Sequence, residues 1–404
     1  MTMQFVTSIR NIYRWFLSGI GKESLNSYYH ILTYSKIPLG KFAKITISLA
    51  LSLVKETEKK LPVLLLIDDT LQEKFGTKFE CYKKLFDHAR HNGSNYMNGH
   101  CFVALTICVP VAIGTELRYL NIPLRFRLRG ENDNKLTMAS EMIRDAMKEL
   151  QNVETVILLC DSWYPKGDVL ETVASCNNLE LIANVRVDTA AFDLPPERTG
   201  KRGRPAKTGK KLSIYTDFSF SQVGEFFIAA KTVLTNLFDS TVYMTVTTPN
   251  IDNHDAYRLF LSTVMPESLA VLFANHHALL KRDSPQDWLF PLYLYSFRWS
   301  IEVMFYELKT FWSFGYYMLR SKHGIENFIN IISIVYAAVH VLPLTDSAFA
   351  SLADFSSLSA KSAIAQAVQR DLILSLFAEN NRNILNSFDL INSLALLELF
   401  PKGA

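Results

Sequence analysis

The chain has 404 residues, 49% hydrophobic and 20% charged, a balance that suits a folded protein of two or three domains and excludes a disordered or low-complexity one. Its formal net charge of +3 is too small for overall electrostatics to bring it to nucleic acid, so any phosphate-binding surface has to come from local clusters of Lys and Arg. Five cysteines, Cys81, Cys101, Cys108, Cys160 and Cys176, include no C-x-x-C pair and are odd in number, which argues against a disulfide framework or structural zinc site and for reduced thiols in a cytoplasmic protein.

The opening MTMQFVTSIRNIYRWF lacks the apolar stretch and small-residue cleavage site of a secretory signal. Residues 1–60 place Ile9, Ile12, Tyr13, Phe16 and Leu17, then Phe42, Ile45, Leu49 and Leu53, at helical spacing, which predicts a small all-helical N-terminal domain. Its Arg10, Arg14, Lys22, Lys36, Lys41 and Lys44 suit contact with DNA, or serve only as a solvated face. The character changes at Pro62, where VLLLI predicts a buried central strand ending at Asp68-Asp69-Thr70. Further strands are expected at 102–111, 117–127, 156–160 and 181–187, with helices over 134–150 and from Asp168, so residues 61–187 predict a mixed α/β sheet.

Between 188 and 285, short β-like pieces at 226–233, 242–246 and 259–264 surround a Gly, Pro, Lys and Arg-rich segment, which predicts an inserted, mostly β subdomain. Residues 286–345 return to helical periodicity. The apolar stretch 328–344 within them is short for a membrane span and is broken by Asn330 and His340, so it predicts a buried helix. Residues 346–404 predict a C-terminal helical region.

Two carboxylates stand after apolar strand-like runs: Asp68 or Asp69 in LLLIDDT, and Asp161 in VILLCDSWY. Strand ends are where open α/β sheets assemble their sites, although Asp is also a common turn residue there. A third carboxylate, Glu302, lies in YSFRWSIEVMFYELK, a segment without Pro or Gly. On one helix, Tyr295, Arg298, Glu302 and Lys309 would share a polar stripe within about 60°, beside an apolar face of Phe297, Ile301, Met304, Leu308 and Phe311. An amphipathic helix with an ordinary Arg298–Glu302 pair would show the same spacing.

From Glu197 to Lys211 seven of fifteen residues are basic, namely Arg198, Lys201, Arg202, Arg204, Lys207, Lys210 and Lys211, an electrostatic footprint for a DNA backbone or minor groove. Trp163 and Trp299 flank the carboxylates and could stack on a displaced base, though the expectation for both is the core. His88, His91 and His100, near Cys81 and Cys101, match no zinc spacing and are read as structural or DNA-facing.

The spacing Tyr-x2-Arg-x3-Glu-x6-Lys resembles the Tyr-Arg-Glu-Lys signature of bacterial insertion-sequence transposases of the Asp-Asp-Glu type. The surrounding words RWSIEVMFYELK, STVMPESL, IDDTL, CDSWYPKGDVL and GKRGRPAKTGKKL are similar too, in the family's order, over residues 14–325. The resemblance implies an RNase H-like core with a β insertion before the Glu-bearing helix. It implies that Asp68 or Asp69 (Asp68 favoured), Asp161 and Glu302 are catalytic and hold two Mg2+ or Mn2+ ions, with Tyr295, Arg298 and Lys309 on DNA phosphates. It further implies a homodimer that binds transposon ends, cleaves them and joins the 3′ ends to target DNA by cut-and-paste, in the bacterial cytoplasm and on the nucleoid, with no membrane or small-molecule substrate. A catalytically inactive DNA-binding regulator on the same fold, and a metal-dependent nuclease that never joins strands, are the alternatives.

Overall fold

The computed structural model describes residues 8–18, 23–87, 95–113, 116–196, 206–274 and 286–380. Its strands, in chain order, are β1 (Val63–Glu73), β2 (Lys83–Phe86), β3 (Tyr96–Ile113), β4 (Glu116–Leu128), β5 (Val156–Cys160), β6 (Leu179–Val185), β7 (Ala191–Phe192), β8 (Lys211–Leu212), β9 (Ser221–Val223), β10 (Phe226–Thr235), β11 (Val242–Thr248) and β12 (Arg258–Ser262). The α-helices are α1 (Ile9–Ile12), α2 (Leu25–Tyr34), α3 (Leu39–Ser52), α4 (Lys135–Glu149), α5 (Asp168–Ser175), α6 (Pro266–Phe273), α7 (Phe290–Ser296), α8 (Trp299–Phe311), α9 (Lys322–Thr345) and α10 (Ser357–Asn380).

The apolar runs VLLLI and VILLC become neighbouring central strands because each is buried on both faces of the sheet. β1 pairs antiparallel with β3 and parallel with β5; β3 pairs with β4, and β5 with β6 in parallel. Three antiparallel strands followed by two parallel ones, with helices on both faces, form an RNase H-like core. On one face α4 and α5 pack Ala139, Ile143, Val169 and Val173 against Val63, Leu65, Ile67 and Leu158. On the other, α8 and α9 pack Ile301, Met304, Leu308, Ile325 and Ile329 against Leu64, Leu66, Ile157 and Leu159. Asn134 caps α4, its side chain accepting from the Leu136 N–H at 2.9 Å.

The strands of the expected insertion do not stand apart from this sheet. β12 pairs antiparallel with β6, and β11 and β10 follow, so the sheet continues to β7 and β8. They nonetheless have an apolar cluster of their own, with Val233, Val242, Met244, Val246, Leu259 and Leu261.

Three local expectations need correction. β1 does not end at Asp68-Asp69-Thr70: pairing with β3 carries it on to Glu73, opposite Gly99. The segment 295–309 is not one helix, because α7 and α8 meet at Phe297–Arg298, where i→i−3 bonds such as Arg298 N to Tyr295 O (2.9 Å) tighten the turn. In α3 the side that packs onto the core carries Ile47 and Ala50, while Phe42, Ile45 and Leu49 are exposed.

α9 is long and apolar enough to cross a membrane by length and composition, but 56% of that stretch is buried within the protein. Its polar residues serve the fold. Asn330 accepts from the Phe126 N–H and donates to the Phe126 carbonyl, both at 2.9 Å, and Glu326 accepts from the Leu128 N–H at 2.8 Å. Among the described residues β4 pairs with β3 alone, so these side chains satisfy backbone groups on its other side.

Candidate active site

Side-chain alternation along β1 sends Asp68 to the face it shares with Leu64 and Leu66, towards α8, and Asp69 to the face of Leu65 and Ile67, towards α4. In the β1–β5 register Ile67 pairs with Cys160, so Asp68 and Asp161 occupy the next positions on the two strands. Asp161 follows β5 directly; its Oδ1 accepts from the Trp163 N–H at 3.0 Å, which turns the chain back over the end of the sheet. Across from them, Arg298 Nη1 donates to Asp68 Oδ2 at 2.9 Å and to Glu302 Oε1 at 3.3 Å. Arg298 immediately precedes α8, Glu302 lies in its first turn and Lys309 in its last, with Glu302 and Lys309 each at the end where the helix dipole favours its charge.

The electrostatics bind these groups together. Burial first, and then the charges of Asp161 and Glu302, hold the Asp68 carboxyl well above the ordinary carboxylate range, with Arg298 pulling the other way. Burial likewise raises Asp161, against the Trp163 N–H and Arg298, with the charge of Asp69 adding to the rise and Lys135 opposing it. Burial raises the Tyr295 hydroxyl, and Asp161 and Asp68 add to the effect against Arg298. Burial lowers Lys309, opposed by Asp87 and Glu302. Charge interactions thus link Tyr295 to Arg298, Arg298 to Glu302 and Glu302 to Lys309, although Tyr295 belongs to α7 and the other three to α8 and the residue that precedes it.

Among the described residues no three His, Cys, Asp or Glu side chains form a ready-made metal cage. Arg298 instead bridges Asp68 and Glu302. The donor set still fits a divalent cation: three carboxylates, two of whose charges are felt at the third, offer only hard oxygen atoms, the kind Mg2+ and Mn2+ take.

Residues 2–222, more than half of the sequence, match the family described as DDE superfamily endonuclease. The chain belongs to that family. The match includes Asp68, Asp69 and Asp161 and stops before α7 and α8, so the Tyr-Arg-Glu-Lys spacing lies outside it. No curated protein matches the sequence.

Around the site of this DDE superfamily endonuclease, the two tryptophans expected in the core lie at the surface: Trp163 is 37% exposed and Trp299 64%. Trp299 sits at the start of α8 on the side away from Ile301, Met304 and Leu308, and Trp163 on the turn after β5. Of the basic segment, Lys207, Lys210 and Lys211 are exposed, and Lys210 pairs with Asp217 at 2.8 Å. Arg198, Lys201, Arg202 and Arg204 lie outside the described residues, as do His88 and His91. His100 is fully buried; its Nε2 donates to the Glu80 carbonyl at 3.0 Å, so its Nδ1 accepts from the Tyr317 hydroxyl at 2.6 Å. All five cysteines are free.

Sequence reasoning missed the surroundings of Asp69. Lys135 Nζ lies 2.7 Å and the Tyr164 hydroxyl 3.0 Å from its Oδ1, while the Cys101 thiol is 3.4 Å from Oδ2. Tyr164 stands three residues after Asp161 in CDSWY, and that closeness is the signal that could have found it.

Proposed function

We propose that this DDE superfamily endonuclease is a transposase that binds the terminal repeats of an insertion sequence, cleaves them with divalent metal ions and joins the 3′ ends to target DNA. The reading rests above all on one arrangement: Asp68 and Asp161 at adjacent strand positions, with Glu302 tied to Asp68 through Arg298. Asp68, Asp161 and Glu302 would hold the ions, Mg2+ or Mn2+, two per site. Held by these three carboxylates, such ions would supply Lewis-acid stabilisation of the attacking and leaving oxygens of a phosphodiester displacement.

The protein's own residues do the rest. Arg298 presents a guanidinium that can hand hydrogen bonds from the carboxylates to a phosphate, for which its fork is shaped. Tyr295, whose ionisation is pushed up by burial, stays a neutral hydroxyl able to donate to a phosphate oxygen. Lys309 adds a donor further along α8. A homodimer on paired transposon ends, and strand transfer after cleavage, complete the proposal on the strength of the sequence resemblance.

Glu302→Gln tests it, because the amide keeps the shape and most hydrogen bonding while removing the charge. The variant should melt normally and bind end DNA, yet fall to background in nicking and joining with Mg2+ or Mn2+. Normal cutting by a folded Glu302→Gln, or full cleavage by the unaltered protein in excess EDTA, would overturn the assignment.

A further inference from the structure

We propose that Asp69 is a positioning residue: with Tyr164 and Lys135 it clamps the turn that carries Asp161, and it is not a member of the carboxylate set. The inference rests on reading Asp68, Asp161 and Glu302 as the metal-holding groups, and it assigns the second Asp of the doubled pair a separate task.

Both aspartates have both oxygens engaged, and what separates them is the partners: Asp68 Oδ1 accepts from the Asp69 N–H at 2.7 Å and its Oδ2 from Arg298 at 2.9 Å, whereas Asp69 is held by groups of the Asp161 turn and of α4. Asp69 Oδ1 accepts from Lys135 Nζ at 2.7 Å and from the Tyr164 hydroxyl at 3.0 Å, and its Oδ2 faces the Cys101 thiol at 3.4 Å. Joining the Asp68 side would mean crossing the strand, since adjacent residues point to opposite faces and the Asp69 face is filled by α4. Tyr164 is fully buried, so its ring is a fixed anchor for the turn. Its N–H donates to the Asp161 carbonyl at 3.3 Å, and the preceding N–H, of Trp163, holds the Asp161 side chain at 3.0 Å. Asp69 is therefore connected to the aim of Asp161 through a buried phenol and two backbone donors.

Lys135 braces the same turn from outside. Its ammonium lies 3.9 Å from the centre of the Trp163 ring, and Lys166 lies 4.4 Å from it, at cation–π distance. Gly167, with φ 49° and ψ −131°, then takes a positive-φ conformation open chiefly to glycine, and from it the chain enters α5. Loss of Asp69 would leave every metal-binding carboxylate in place but free the turn that aims one of them.

The test is Mn2+ binding to the full-length protein, by calorimetry and by the loss of the free-ion electron paramagnetic resonance signal. Asp68→Asn should abolish tight Mn2+ binding. Asp69→Ala should keep the number of sites and weaken their affinity by about tenfold or more, the usual consequence of removing a group that orients a metal ligand. Tyr164→Phe should weaken it in the same way, and Asp69→Ala with Tyr164→Phe should be no weaker than the worse single variant, because both break one connection. Asp69→Asn should recover most of the affinity, since its amide oxygen still accepts from Tyr164; a neutral amide would not restore a lost charged ligand. The Trp163 emission, taken as the difference from a Trp163→Phe protein, should shift in Asp69→Ala as Lys135 is released. Asp69→Ala losing Mn2+ as completely as Asp68→Asn, or both Asp69→Ala and Tyr164→Phe binding Mn2+ like the unaltered protein, would overturn the inference. Normal Mn2+ binding by Asp68→Asn would instead bring down the metal-site reading itself, and the clamp with it.

Discussion

Asp68 and Asp69 are identical in chemistry and adjacent in sequence, and the pleat of one strand separates their surroundings. Asp68 faces two other carboxylates and an arginine, whereas Asp69 faces a lysine, a phenol and a thiol. A buried residue elsewhere shows how such surroundings become measurable. Burial lowers His100 from 6.5 to about 4, with the nearby Lys74 adding to the effect and the Glu80 carbonyl opposing it. Between those values the unfolded chain binds a proton that the folded chain refuses, so this group's contribution to stability is lost as the pH falls from 6.5 towards 4. Buried carboxylates with raised values, such as Asp68 and Glu326, act in the opposite direction, so the effect is read as a difference between two proteins. Melting temperatures of His100→Gln should fall less steeply than those of the parent over that window; parallel curves would show that His100 does not titrate as its burial demands.

Among the elements, α9 illustrates how a polar residue inside an apolar helix can hold a fold together. Asn330 satisfies both the N–H and the carbonyl of Phe126 on β4. Asn330→Leu would leave both backbone groups buried and unpaired, a loss of about 2 kcal/mol or more. Chemical denaturation should record it, with the midpoint falling and the slope unchanged; a loss well under about 1 kcal/mol would mean that water replaces the amide. In the sequence Asn330 served only as an interruption that made a membrane span less apt, because nothing in a single chain names the edge strand an amide will meet. The junction between α7 and α8 was hidden for a related reason. No Pro or Gly marks it; i→i−3 bonding at Phe297–Arg298 sets it, and this displaces Tyr295 from the uniform stripe that about 100° per residue would draw.

Across the whole molecule a net charge of +3 leaves DNA binding to local clusters. The densest is 197–211, in which Lys207, Lys210 and Lys211 are exposed and the Lys210–Asp217 pair, at the surface, is a weak competitor for a phosphate. Replacing Arg202, Arg204, Lys207 and Lys210 with Ala should weaken DNA binding whatever its sequence, and should flatten the log-log dependence on salt by about 0.9 for each phosphate that is no longer neutralised. Binding measured from low to moderate salt checks this, and an unchanged slope would show that the segment points away from DNA.

The sequence alone determined the alternation of strands and helices in the core, the two apolar runs preceding aspartates, and the family resemblance, because each is written in local spacing and residue type. Continuous apolar strands such as VLLLI also hide something by being continuous. They are buried on both faces, so no alternation of polar and apolar residues tells which side of β1 meets which helix. Only the packing of α8 on the Leu64–Leu66 face and of α4 on the Leu65–Ile67 face decided that Asp68 looks towards Glu302 and Asp69 towards Lys135. The same long-range packing placed Trp163 and Trp299 at the surface, since a helix or turn buries whichever side its partners cover, and those partners are brought in from distant parts of the chain.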